Sequence, residues 1–294
     1  MSTTETPLAR TCDCCTAAMV RIAPWLGVCP ACGFLASDLA AGAGASVEGL
    51  ENLRQANFER LLDRLETLRP LAGTRLLEVG CARGWFLDAA ARRGVDCVGL
   101  EPDPDLAADA HGRGHSIETG LFPAAPHTKE SFDIVVFNDS FEHIPAPRDA
   151  VARCAELLPT GGLLALNLPS SDGALYRAAS VLARVGVRSP LERLWQKGLP
   201  SPHRSYFSPT NLTRLVESSG AFVPRERCAL PSVAIPGLWR RLRSSWPVPH
   251  AVGLYIGVAA FVPLLRHLPQ DIVLAIFERR SAPRPPLFGS RDSC

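Results

Sequence analysis

The segment Leu76-Leu77-Glu78-Val79-Gly80-Cys81-Ala82-Arg83-Gly84-Trp85-Phe86 restricts what this chain can fold into more than any other. An apolar strand, Arg75–Val79, runs into a glycine-bearing turn that opens a helix through Trp85–Arg93. Gly80 reaches backbone angles closed to other residues, and Gly84 lets the helix come close to the strand. A second strand follows at Val95–Leu100, then strands at Phe132–Asn138 and Gly162–Leu168 with a helix at Ala146–Leu158 between them. Strand–helix alternation at this spacing requires right-handed crossovers, and so a parallel sheet with helices on both faces. Ahead of it, Leu50, Leu53, Leu61, Leu65 and Leu68 recur at helical spacing before Pro70. Behind it, Asn211–Ser219 reads as a helix, and Phe222–Cys228 and Asp271–Arg279 as strands.

The chain of 294 residues is long enough for one sizeable core and a small extra module. At 47% hydrophobic and 20% charged residues it is a globular chain, and a net charge of +2 asks for no nucleic-acid partner. Ten cysteines and a polar start, MSTTETPLAR, point to a reducing cytoplasmic setting where clustered thiols serve as metal ligands.

A glycine turn alone often serves packing. Here Glu101 ends the next strand, at the distance where dinucleotide folds set a carboxylate on ribose hydroxyls. Together these features predict a nucleoside ligand. The run Leu77-Glu78-Val79-Gly80-Cys81-Ala82-Arg83-Gly84 resembles the E-x-G-x-G-x-G loop of class I S-adenosylmethionine methyltransferases. Ser131-Phe132-Asp133-Ile134-Val135-Val136 resembles their fourth strand, Phe141-Glu142-His143-Ile144-Pro145 the segment after it, and Leu157-Leu158-Pro159-Thr160-Gly161-Gly162 the turn before their fifth. The resemblance covers about Leu50 to Asp172 and implies a Rossmann-like seven-stranded sheet with helices on both faces. It also implies that Glu78 orients the methionine amino group, that Gly80 and Gly84 lie beside the methionine moiety, that Glu101 holds the ribose hydroxyls and that Asn138 reaches the methionine end. Two departures stand out. The middle loop glycine is Ala82, which tightens the site, and Gly120-Leu121-Phe122 stands where many members place an acid for the adenine amine.

Methyl transfer needs the acceptor positioned and, where required, deprotonated. His143, just past the fourth strand at the carboxyl edge of the sheet, is the candidate base, with Glu142 orienting it or binding an acceptor hydroxyl. The Glu-His pair resembles that of sugar C-methyltransferases with an N-terminal zinc module, although Ser140 replaces their nearby Tyr. The pair is equally open to a packing role at the helix start. His203 and Tyr206 precede the Asn211 helix and either line the acceptor pocket or staple it shut. Nucleic-acid bases are poor candidates, because Asn138-Asp139-Ser140-Phe141 is not the Asn/Asp-Pro-Pro-aromatic motif of base aminomethylation, and Lys129 and Lys197 are the only lysines.

Cys12-x-x-Cys15 and Cys29-x-x-Cys32, thirteen residues apart, put two thiolate pairs on two tight turns, as a tetrahedral zinc site needs. Cys14 is a competing ligand, and a redox cluster is the other reading. The predicted organisation is a zinc ribbon over 11–36, a flexible linker over 37–49, and a methyltransferase domain over 50–280. Insertions or lids fall at 173–204 and 231–269, and a disordered tail at 281–294.

Within the second insertion, Trp239, Arg240, Arg241, Arg243 and Trp246 precede the apolar run Ala251–Leu265, which is short for a span and holds Pro263. It reads either as a buried helix or, through residues 239–265, as a peripheral contact with the inner face of a membrane. The expected function is methyl transfer from S-adenosylmethionine to the oxygen or carbon of a small or lipid-linked acceptor, a sugar or a quinone precursor. The contrasting reading is a silent cofactor-binding regulator or scaffold whose ribbon contacts a partner.

Overall fold

A computed structural model describes residues 6–42, 51–124, 131–233, 237–245, 248–265 and 267–281. Ala43-Gly44-Ala45 of the expected linker, Trp246 and the tail beyond Ser281 lie outside the described residues.

The chain begins with β1 (Thr6–Thr11), β2 (Ala18–Ala23), β3 (Leu26–Val28) and β4 (Leu35–Ser37). Next come α1 (Glu51–Leu68), β5 (Arg75–Val79), α2 (Trp85–Ala91), β6 (Asp96–Glu101), α3 (Pro104–Gly112) and β7 (Ser116–Thr119). After these follow β8 (Ile134–Asn138), a 3-10 turn at Phe141–His143, α4 (Pro147–Leu157) and β9 (Leu163–Pro169). The remainder is α5 (Ala174–Arg184), α6 (Ser189–Leu194), β10 (Ser205–Tyr206), α7 (Pro209–Ser218), β11 (Phe222–Leu230), α8 (Leu238–Ser245), α9 (Val248–Leu265) and β12 (Ile272–Arg279).

Seven strands form one sheet in the order β11-β12-β9-β8-β5-β6-β7, parallel except that β12 runs against both its neighbours. The seven-stranded sheet expected from the sequence is therefore present. Alternation along each strand builds two cores. Leu76, Ile134 and Val136 face α1 and α2, where they meet Leu61, Leu65, Phe86 and Leu87. Leu77, Val79, Val135 and Phe137 face the other way, toward α4 and α7. Strand β6 passes close to the loop here: a Cβ on Gly99 would come within 2.6 Å of Cys81 Sγ and 2.7 Å of Ile117 Cδ1, so a larger residue would make those side chains shift.

The second sheet contains β1-β2-β3-β4 and, at its end, β10 from the other half of the sequence. Ser205 pairs with Ala36 and Tyr206 with Leu35. Ser37 and Leu39, assigned by sequence to the linker, are buried here, and the Ser37 hydroxyl donates to the His203 carbonyl at 2.5 Å. An aromatic ladder continues the join. Phe34 meets Phe207 at 5.1 Å, Phe207 meets Phe141 at 5.7 Å, and Phe141 meets Phe137 of β8 at 5.2 Å. Burying each of these rings contributes about 1.5–3 kcal/mol, so the small sheet is fused to the large one rather than tethered to it.

Candidate functional site

The carboxyl edge of the parallel strands gathers Glu78, Gly80, Gly84, Glu101, Asn138, Glu142 and His143. The turn after β5 needs unusual backbone angles: Gly80 has φ 77°, Ala82 φ 47° and Gly84 φ 78°. Ala82 therefore holds a left-handed conformation that costs a non-glycine residue about 1–2 kcal/mol, stabilised by donation of its N–H to Glu101 Oε2 at 2.8 Å. The other Glu101 oxygen accepts from Asp103 N–H at 3.0 Å, so one buried carboxylate ties the glycine loop to the end of β6. Burial pushes the Glu101 carboxyl above its usual range, against those two hydrogen bonds. A Cβ on Gly80 would strike Ser140, whose hydroxyl donates to the Val79 carbonyl at 2.5 Å.

Glu78 lies 2% exposed at the centre, with Oε2 lacking a hydrogen-bond partner. Burial first, then the charges of Glu101 and Asp139, push its carboxyl well above the ordinary range. A buried carboxylate in this state calls for a cationic partner. The ammonium group of S-adenosylmethionine would meet that demand, and the carboxylate of Glu101 at the end of β6 fits its nucleoside end. The residues present therefore fit the cofactor.

Asn138, at the end of β8, accepts from Asn167 Nδ2 of β9 at 2.7 Å. Asn167 itself, buried with Oδ1 unpartnered, did not emerge from the sequence reading. Its signal was there, one polar residue inside the apolar run Leu163–Leu168. Asp139 was missed too; it has φ 54° and lies 4.0 Å from Arg54 of α1.

Beside this edge stands the Glu142–His143 pair. Glu142 is 2% exposed, its Oε2 has no partner, and burial first, then Asp139, pushes its carboxyl well up. His143 Nδ1 faces the Pro202 carbonyl at 3.2 Å and Ser201 Oγ at 3.1 Å, while Nε2 lies 4.0 Å from Glu142 Oε1. Burial lowers the His143 pKa, which leaves the ring neutral near pH 7. The structure brings His203 to the same place: its ring meets His143 at 4.8 Å, and its Nε2 lies 3.9 Å from Glu142 Oε1. Tyr206 is 3% exposed and packs on Tyr176 at 4.4 Å and Trp195 at 5.0 Å, inside a small aromatic core.

The Sγ atoms of Cys12, Cys15, Cys29 and Cys32 lie within 4.8 Å of one another, with Cys12–Cys32 and Cys15–Cys29 each at 3.4 Å. Tetrahedral zinc with bonds near 2.3 Å separates its thiolates by about 3.8 Å, so the four match that ion. Cys14 points elsewhere in role: its backbone N–H donates to Cys12 Sγ at 3.3 Å, and a hydrogen bond from its thiol is the first cause holding Cys32 down at about 4.

Residues 50–223 match the protein family described as "Methyltransferase domain". A ubiquinone biosynthesis O-methyltransferase from Xanthomonas euvesicatoria is 31% identical over 180 residues, covering 58% of this chain and 70% of the relative. One from Aliivibrio fischeri is 28% identical over 176 residues, covering 57% and 72%. Among solved structures, geranyl diphosphate C-methyltransferase from Streptomyces coelicolor, in complex with Mg2+, geranyl diphosphate and S-adenosyl-L-homocysteine, superposes with TM-score 0.53 at 18% identity, over 78% of this chain and 80% of that one. Glycine loop, buried Glu78, strand-end Glu101 and matched relatives lead to one conclusion: the chain belongs to the methyltransferase-domain family, and is a class I S-adenosylmethionine-dependent methyltransferase.

Proposed function

We propose that this enzyme methylates a hydroxyl of a lipid-linked aromatic acceptor, a quinone precursor, with S-adenosylmethionine bound by Glu78, Gly80, Gly84, Glu101 and Asn138. The bound cofactor supplies the electrophilic methyl group. His143 takes the acceptor proton at Nε2, because the Pro202 carbonyl can only accept and so fixes the ring proton on Nδ1. Glu142 orients the acceptor, His203 and Tyr206 shape its pocket, and Cys12, Cys15, Cys29 and Cys32 bind one zinc that holds the ribbon together. The observation that carries this reading is the meeting of Glu78, Glu101 and the Glu142–His143 pair at a single sheet edge. The relatives' names, ubiquinone biosynthesis O-methyltransferases, support the acceptor class.

Incubated with labelled cofactor and separated lipid and aqueous extracts, the protein is expected to label the lipid fraction. His143→Ala should lower that rate by about 10²–10⁴ with cofactor binding retained. Because burial lowers the His143 pKa, the wild-type rate should persist into acid below the ordinary imidazole range before it falls. Label confined to the aqueous fraction would reject the lipid-linked acceptor.

The C-terminal insertion supports the same acceptor. No helix among the described residues is long and apolar enough to cross a membrane. Yet α9, which carries no Asp, Glu, Lys or Arg, exposes Val248, Val252, Leu254 and Ile256, with Ile256 63% exposed. It rests chiefly on α8, Trp239 meeting Tyr255 at 6.0 Å, and α8 turns Arg240 and Arg243 outward. An apolar helix beside a basic one suits an anionic lipid interface. The hairpin leaves after Leu230 and returns at Ile272; Leu230 pairs with Ile272, and Ile272 with Pro169 at the end of β9, so it rises from the edge that holds the site. Wild-type protein should float with anionic vesicles, and replacing Arg240, Arg241 and Arg243 with Gln should cost about 1 kcal/mol per residue in affinity. High salt should weaken the binding in the same direction; protein that stays at the bottom of the gradient would reject the contact.

A further inference from the structure

The chain that leaves the ribbon does more than connect it to α1. Residues 37–42 run antiparallel along residues 198–204, the loop that folds back over the 3-10 turn at Phe141–His143. The Ser37 N–H donates to the Arg204 carbonyl at 2.9 Å, and its hydroxyl to the His203 carbonyl at 2.5 Å. Farther on, the Gly42 N–H donates to the Leu199 carbonyl at 2.8 Å. Backbone lies on backbone there: a Cβ on Gly42 would run into Gly198, so a larger residue must push the two segments apart. Arg204 fastens the contact on both sides. Its guanidinium donates to the Leu39 carbonyl at 2.5 Å, and its N–H to the Glu142 carbonyl at 2.8 Å.

What this strap holds down is the cover over the candidate base. His143 Nδ1 faces the Pro202 carbonyl and Ser201 Oγ, and both belong to the strapped loop. His203, whose ring meets that of His143, belongs to it too. Residues 199–204 lie between α6 and β10, outside any helix or strand, so bonds to neighbouring segments fix them. Glu142 and His203 are the titratable groups that face the His143 ring. Asp139 lies beyond Glu142, opposed by Arg54, and Arg204 adds a positive charge on the loop.

We propose that Ser37, Gly42 and Arg204 are positioning residues for methyl transfer: the segment leaving the ribbon straps the 198–204 loop over His143, fixing its tautomer and keeping water from it. The inference rests on His143 being the base, as proposed above. It gives the N-terminal module a part in the reaction, exerted through the loop and without contact with the acceptor.

Histidine-ring NMR of the full-length protein reads this directly, the His143 signal being the one lost in His143→Ala. Wild type should show the proton on Nδ1 and a midpoint below the ordinary imidazole value of about 6.5. In Gly42→Val and Arg204→Ala the midpoint should rise toward that value and the Nδ1 preference should fade. Gly42→Val changes no charge, so a rise there reports hydration of the ring and not a lost guanidinium. Ser37→Ala, the gentlest change, should move both readouts the same way, and Arg204→Lys should stay nearer wild type. In Gly42→Val and Arg204→Ala, kcat with the lipid extract should fall about 10²-fold, the scale of an ångström's misplacement, at unchanged KM for S-adenosylmethionine. A wild-type midpoint and tautomer in Gly42→Val, Arg204→Ala and Ser37→Ala would overturn the strap. So would a rise that comes only with loss of cofactor binding, which reports unfolding. His143→Ala separates the two readings: if it is inactive the base stands and the strap alone fails, and if it methylates at full rate the base is wrong as well.

Discussion

Cys29→Ser is expected to release zinc from the ribbon, from about one ion per chain to none. Structural zinc at four thiolates contributes about 10–16 kcal/mol of apparent binding free energy, which in small modules is also the folding free energy. Cys29 and Phe34 sit in the same buried cluster as Phe141 and Phe207, so the damage should not stop at the ribbon. With β4 unsettled, β10 loses its partner strand, and His203 loses the Ser37 contact to its carbonyl. Methyl transfer should therefore fall far more than cofactor affinity, because the residues proposed to bind the cofactor lie on β5, β6, β8 and the loop after β5. Cys14→Ser gives the contrast: zinc should stay, because Cys14 assists through its N–H and its thiol lies outside the four-donor group. Metal analysis under reducing conditions decides the matter. Zinc absent from wild-type protein, or retained by Cys29→Ser, would reverse the assignment.

The second large effect is expected at Glu101. Glu101→Ala should weaken S-adenosylmethionine binding by about 1.5–3 kcal/mol, or roughly 10- to 150-fold in Kd. The loss has two sources. One is the charge-assisted pair to the ribose hydroxyls. The other is the loop, since Ala82 and Asp103 would both lose the acceptor of their N–H groups. Glu101→Gln keeps an acceptor for one of those bonds and should fall between wild type and alanine. Acid should act in the same direction: burial raises the Glu101 pKa, so its charge, and cofactor affinity with it, should decline at a pH above the ordinary carboxylate range. Calorimetry that finds unchanged affinity in Glu101→Ala would show the cofactor to be misplaced.

These two sites differ in how far sequence alone reveals them. The unit from Arg75 to Glu101 is legible because its strands are apolar runs and its turn is marked by Gly80 and Gly84, so local pattern and tertiary role agree. Strand β7, Ser-Ile-Glu-Thr, is not legible; at the sheet edge it is paired on one side only and carries one apolar residue. Strand β10 has just two residues, and only β4 makes it a strand. For the same reason sequence ends the ribbon near residue 36 and begins a linker, while Ser37 and Leu39 are buried against residues far along the chain. The cysteine spacing is readable since both pairs are local. The meeting of His203 with Glu142 and His143 is not, because it depends on the loop after α6 folding back over the 3-10 turn. The apolar character of α9 shows in the sequence. Its exposure follows from packing chiefly on α8 and could not be read there.

The joining of β4 to β10 also sets an order of assembly. The ribbon's own hairpins close between neighbours in sequence, but Ser37 and His203 are 166 residues apart. At about 5–20 residues per second, a ribosome needs roughly ten to thirty seconds to make the intervening chain. Throughout that interval the edge of β4 stands open, with backbone donors and acceptors ready to pair with any strand that passes. The module that supplies β4 is thus synthesised well before β10 and finished only after it.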